Sequence, residues 1–178
     1  MFSGENIKTV MVTSTNPAEG KSFVAMQLAK SFADINKKVV YIDCDLRKSV
    51  TLSRYKIRGK RVGLTEYITG QKSQLIYETN IPNLAVILSG HVVPNPIELM
   101  ESKKFDDLLS VLRERFDYVI IDSPPVGSVV DACVIAPKVD GTVMVVRSDA
   151  VGRSHAIQAK KQLEKSKGCL LYTSPSSR

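Results

Sequence analysis

Between an apolar run, Thr9-Val10-Met11-Val12, and a helical stretch from Phe23 to Ile35, the chain reads Thr13-Ser14-Thr15-Asn16-Pro17-Ala18-Glu19-Gly20-Lys21-Ser22. A strand that turns through so short a loop into a helix leaves several unpaired backbone N–H groups at one point. The helix dipole and a lysine add their positive character there, which suits a polyphosphate. The pattern G-x-x-x-x-G-K-[ST] is met at Gly20, Lys21 and Ser22, and Thr15 stands where the first glycine would be.

Such a loop needs a sheet behind it, and the later apolar runs supply one. Strands are expected at Thr9–Thr13, Val39–Ile42, Leu84–Leu88, Tyr118–Ile121 and Thr142–Val146. Between them, the first helix is expected to bury Val24, Leu28, Phe32 and Ile35. A short helix follows at Leu64–Ile68, ended by Gly70, and Pro94-Asn95-Pro96 opens a helical region through Leu99, Phe105, Leu108, Leu109 and Leu112. Further helices are expected near Val129–Ala136 and from about Arg153 to Lys167. Strands this apolar, alternating with helices, predict an α/β fold whose mainly parallel sheet is covered on both faces. Ligands of such sheets bind beyond the carboxyl ends of the strands. Three strands here deliver polar chemistry to that edge: the loop after the first, Asp43 and Asp45 after the second, and Asp122 after the fourth.

With 178 residues the chain is long enough for one domain with a real core. No apolar run approaches the ~20 residues that cross a bilayer, and the N-terminal residues have no secretory pattern. Cys44, Cys133 and Cys169 stand singly, which predicts reduced thiols in a cytosolic setting. The net charge of +7 is concentrated between Arg47 and Arg61, where seven basic residues occur without an acid. A solvated loop is the plain reading; attraction of an anionic partner is the functional one. Tyr55 is the one aromatic residue among these charges, short of the aromatic interleaving of single-strand binders, so nucleic acid is not expected as a partner. After Gly168 the run Leu170-Leu171-Tyr172-Thr173-Ser174-Pro175-Ser176-Ser177-Arg178 does not continue the pattern. The expected domain is therefore 1–169, cut short on its C-terminal side, with 170–178 outside the fold.

Lys21 is a flexible point charge at the loop–helix junction, and the Ser22 hydroxyl suits a Mg²⁺ shell. Asp122 follows four apolar residues, as an acid that holds the metal would. Asp43 and Asp45 lie two apart at a strand end, where one joins the metal and the other accepts a proton from an incoming hydroxyl. His91 and His155 are read as surface residues, Cys44 as a small neighbour packed on the sheet, and Arg147 and Arg153 as surface residues near the same edge.

Taken together, the loop Thr13–Ser22, the stretch Val39-Val40-Tyr41-Ile42-Asp43-Cys44-Asp45-Leu46-Arg47-Lys48, and Phe116-Asp117-Tyr118-Val119-Ile120-Ile121-Asp122-Ser123-Pro124-Pro125 resemble the Walker A, A′ and B motifs of bacterial tyrosine kinases. Ser89-Gly90 with Pro94-Asn95-Pro96-Ile97-Glu98-Leu99-Met100-Glu101-Ser102 resembles a further stretch of that family, the autokinases of capsular and exopolysaccharide synthesis. The resemblance covers about Lys8 to Lys167. It implies a Rossmann-like three-layer P-loop NTPase fold and an ATP-dependent, non-specific protein-tyrosine kinase. It further implies nucleotide contacts from Thr15, Asn16, Pro17, Ala18, Glu19, Gly20, Lys21, Ser22, Phe23 and Arg47. Metal contacts would come from Ser22, Asp43 and Asp122, and catalysis from Lys21, Asp43, Asp45 and Asp122.

The implied partners are a membrane-embedded chain-length or activator domain, fused or separate, further copies of the kinase in a ring, and a cognate tyrosine phosphatase. The implied location is the cytoplasmic face of the membrane. The family's tyrosine-rich C-terminal tail and its upstream assembly helix are not present, so the acceptor lies outside this chain and the fragment by itself is expected to bind ATP without turnover. A rival reading is a ParA/MinD-type ATPase. Those relatives carry a second lysine where Asn16 stands.

Overall fold

A computed structural model of the chain describes residues 7–47, 62–71, 74–127, 130–147, 152–166 and 168–171. The basic stretch from Lys48 to Arg61 lies outside the described residues, as do residues 172–178 of the tail.

Alternating apolar residues with no polar face make a strand that must be covered on both sides. β1 (Thr9–Ser14) and β2 (Val39–Asp43) are buried along their whole length, and β5 (Tyr118–Asp122) from Val119 onward. These three form the centre of a six-stranded sheet of order β3-β4-β2-β5-β1-β6. The flanking strands are β3 (Ile76–Glu78), β4 (Leu84–Ile87) and β6 (Gly141–Val145). All neighbours run parallel except β3, which pairs antiparallel with β4. β3 is an edge strand of three partly exposed residues, too short to leave a periodic signal, and it has no counterpart in the sequence reading.

Each face buries one half of the alternation. Met11, Val40, Ile42, Val119 and Ile121 point to one core. It is covered by α2 (Leu64–Ile68), α3 (Pro96–Glu101), α4 (Lys103–Arg115), α5 (Asp131–Ile135) and α6 (Arg153–Lys165). Val10, Val12, Tyr41 and Ile120 point to the other, under α1 (Lys21–Asp34). The single helical region expected after Pro94 is two helices. Ser102 leaves the helical region at φ −66°, ψ 146°, and its hydroxyl accepts the Phe105 N–H at the start of α4.

The buried face of α1 differs from the one expected. Ala25, Met26, Ala29 and Ala33 are buried, whereas Val24, Leu28 and Phe32 are half-buried and Ile35 is 63% exposed. Alanines let the helix axis approach the sheet closely, so the small residues take the contact and the larger ones line its margin. There Phe32 stacks on Tyr118, with ring centroids 3.9 Å apart. With Ile7, Val10, Leu28, Val143 and Leu171 they line an apolar groove of about 440 Å³ at the amino ends of the strands, away from the phosphate-loop edge.

Contacts with the sheet run two residues past the expected boundary. Leu170 forms a parallel bridge with Thr142, and the Leu171 N–H donates to the Thr142 carbonyl at 2.8 Å. The bridge sits on the open edge of β6, where two adjacent leucines still offer apolar surface.

Candidate functional site

β1 ends at Ser14 and the chain reaches α1 through a loop with two left-handed residues, Ala18 at φ 64° and Gly20 at φ 91°. Gly20 has open space where a Cβ would stand, so backbone angle rather than crowding favours glycine there. As the residue preceding α1 it has no side chain to cap the helix, and the first-turn N–H groups keep their charge for an incoming anion. The loop is held in shape from within. The Asn16 N–H donates to Glu19 Oε2 at 2.7 Å, and the Ser14 hydroxyl donates to the Asn16 carbonyl at 2.8 Å. The Gly127 N–H donates to the Thr15 carbonyl at 3.0 Å, and a side chain at Gly127 would strike that same oxygen.

The structure gathers the predicted charges from three strand ends. Lys21 Nζ lies 3.3 Å from Asp122 Oδ1, 3.8 Å from Asp45 Oδ2 and 3.2 Å from the Ser22 hydroxyl. Asp43 and Asp122 are register partners across β2 and β5. β2 ends at Asp43, and Asp43 Oδ1 accepts the Asp45 N–H at 3.0 Å. Lys21, Asp43 and Asp122 are each less than a tenth exposed, so their attraction acts in a poorly screened environment. Cys44, between the two acids, packs in the core; burial pushes its thiol well above the usual range, and Asp43, Asp122 and Asp45 add to the push.

Other predicted residues have partners elsewhere. Arg47 forms a bidentate pair with Asp131, at 2.8 and 3.1 Å, which ties the loop after β2 to the start of α5. Asp131 is 1% exposed and was not singled out by sequence; a lone acid after a turn has no signal of its own. Glu19 turns its carboxylate inward, onto the Asn16 N–H and, at 3.4 Å, the Arg147 N–H. Pro17, Ala18 and Phe23 face solvent, and Thr15 is buried with no partner for its hydroxyl among the described residues. Arg153 and His155 are exposed. His91, read as a plain surface residue, pairs through its ring and its N–H with Glu66. Tyr41 was also missed: its hydroxyl donates to Asp122 Oδ2 at 2.8 Å.

Among the described residues no three His, Cys, Asp or Glu side chains make a metal cage by themselves, and no helix is long and apolar enough to cross a membrane. Residues 7–160 match the family model described as an AAA domain. The tyrosine-protein kinase CpsD of Streptococcus pneumoniae serotype 4 is 43% identical over 165 residues, spanning 92% of this chain and 73% of that protein. The solved VpsO kinase domain superposes with a TM-score of 0.87 at 32% identity, covering 93% of this chain and 82% of that one. The septum site-determining protein MinD from Pyrococcus horikoshii, solved with Mg-ADP, reaches a TM-score of 0.76 at 18% identity, covering 92% and 68%, a likeness of fold alone.

Proposed function

The chain belongs to the bacterial tyrosine-protein kinases built on an AAA domain, and we propose that Lys21, Ser22, Asp43, Asp45 and Asp122 make it an ATP- and Mg²⁺-dependent autokinase of capsular or exopolysaccharide polymerisation and export. The observation that carries the site is the Lys21 ammonium held between Asp122 and Asp45 at the uncapped start of α1. The residues fit the group they would hold: among the described residues the buried Thr15 hydroxyl has no partner and the first-turn N–H groups have no side-chain cap.

Bound there, Mg²⁺-ATP supplies the phosphoryl group and the leaving diphosphate. Lys21 would exchange Asp122 and Asp45 for phosphate oxygens, and the released Asp122 would join Asp43 and the Ser22 hydroxyl in holding the metal. Asp45, at the mouth of the site and partly exposed, is placed to take the proton of the attacking tyrosine hydroxyl. Gly20 and the loop from Thr15 to Phe23 would hold the phosphates, while Arg47 would act through its hold on Asp131. The acceptor tyrosines belong to a neighbouring copy in a ring. A membrane-embedded activator brings the kinase to the cytoplasmic face, and a tyrosine phosphatase reverses the modification. No observation favours the partition-ATPase reading, and Asn16 holds the place of its second lysine.

The test uses γ-labelled ATP, Mg²⁺, the activator domain and a tyrosine-rich peptide added as acceptor. Native chain should label the peptide and Lys21→Met should not. Undiminished labelling by Lys21→Met would overturn the assignment.

A further inference from the structure

Short of the strand ends, the α1 face of the sheet carries an apolar cluster. Val10, Val12, Val39, Val86, Leu88 and Ile120 share it, and among them stands Tyr41, fully buried on β2. Packing would be served equally by a phenylalanine there. The phenol does more: its hydroxyl donates to Asp122 Oδ2 at 2.8 Å in a buried contact.

Sheet register explains how the contact arises. Tyr41 lies opposite Ile120, and Asp43 lies opposite Asp122. Side chains alternate along a strand, so all four project to the α1 face. A tyrosine ring, unlike any shorter side chain, spans one inter-strand gap and reaches forward to the position two residues on. The two oxygens of Asp122 thereby acquire different partners. Oδ1 faces Lys21 at 3.3 Å, and Oδ2 is held from within the core. Lys21 is a long, flexible cation at the start of α1; Tyr41 is fully buried in close packing and stays in place.

We propose that Tyr41 is a positioning residue that pins Asp122 Oδ2, so that Oδ1 is presented in one orientation to the metal shell once Lys21 moves to the phosphates. This rests on the nucleotide–metal reading of the site and adds to it a role for a core side chain. Carboxylates that hold metals are commonly oriented by such a donor, and its loss typically costs about tenfold or more in metal affinity. The hydroxyl acts on orientation alone, so nucleotide binding without metal does not depend on it.

The experiment compares native chain with Tyr41→Phe by titrating a fluorescent ATP analogue in EDTA and at increasing Mg²⁺. Tyr41→Phe should bind the analogue as native does in EDTA and should need about tenfold more Mg²⁺ for the metal-dependent gain. In an Asp122→Asn background, Tyr41→Phe should have no further effect on Mg²⁺. An unchanged Mg²⁺ requirement, or equal weakening with and without metal, would overturn the role of Tyr41 while leaving the site reading intact. Absence of any metal-dependent gain in native chain would overturn both. Should Tyr41→Phe not fold, the phenolic proton of native chain decides. Sheltered from exchange, it should give an NMR signal that shifts when Mg²⁺ is added to the nucleotide-bound protein; a signal that does not move would overturn the proposal.

Discussion

A single side chain at the start of α2 shows how local chemistry sets a global property. Glu66 is 3% exposed, and it accepts the Gly63 N–H at 2.7 Å and the His91 N–H at 2.9 Å, with the His91 ring also against it. Burial pushes its carboxyl up, but the donors from Gly63 and His91 together outweigh that and hold it below its ordinary value of 4.5. A depressed carboxylate adds stability at pH above the unfolded value, and that stability is lost as the pH falls through the lower folded one. Urea unfolding should therefore show the native chain weakening as the pH drops below about 4.5. Glu66→Gln should be less stable at pH 7, because its amide cannot accept both donors, and its acid-side decline should be shallower. Parallel acid curves for the two proteins would refute this account. Gly90, at φ 87°, keeps the chain beside Glu66 in the left-handed turn that brings His91 back, and any side chain there would collide with the Glu66 carboxylate.

Among the elements, the break between α3 and α4 was the least legible. Pro94-Asn95-Pro96 and the leucine spacing from Leu99 to Leu112 announce a helix, but nothing in apolar periodicity marks an interruption at Ser102. Its hydroxyl accepts the Phe105 N–H at 3.3 Å and donates to the Leu99 carbonyl at 2.7 Å, so one residue closes α3 and opens α4. The kink lets Met100 and Phe105 both point into the same core. Ser102→Ala should cost about 1 kcal/mol, and Ser102→Gly only a few tenths. Thermal melts of the two variants measure this; equal losses would show that the hydroxyl is not the cap.

On the scale of the molecule, five helices cover one face of the sheet and α1 alone covers the other among the described residues. The two cores meet only through the strands, while the site sits where α1 and the ends of β1, β2 and β5 converge. Phe105, fully buried on α4, belongs to the core on the far side from α1. Phe105→Ala should lower stability by about 3–5 kcal/mol. Below its melting temperature it should retain the nucleotide affinity of the native chain, as a titration on folded protein would show. A loss of affinity larger than the loss of folded fraction would mean that the two faces are coupled through the sheet.

Apolar runs of four or five residues, each ending in a polar signature, determined the parallel sheet and the edge at which its chemistry lies. They also located Gly20, Lys21, Ser22, Asp43, Asp45 and Asp122 at one edge of the sheet, because residues next to a strand end or a glycine turn are positioned by local geometry alone. Tertiary structure decided the rest. Arg47 lies beside the aspartates in sequence but is held by Asp131, 84 residues away. Tyr41 reads as one more apolar strand residue until the register sets Asp43 opposite Asp122 and brings its hydroxyl to the Asp122 carboxylate. Contacts of this kind depend on which strands are neighbours and in what register. That is fixed only when the whole sheet closes its hydrogen bonds and buries both faces, and no local window of sequence contains it.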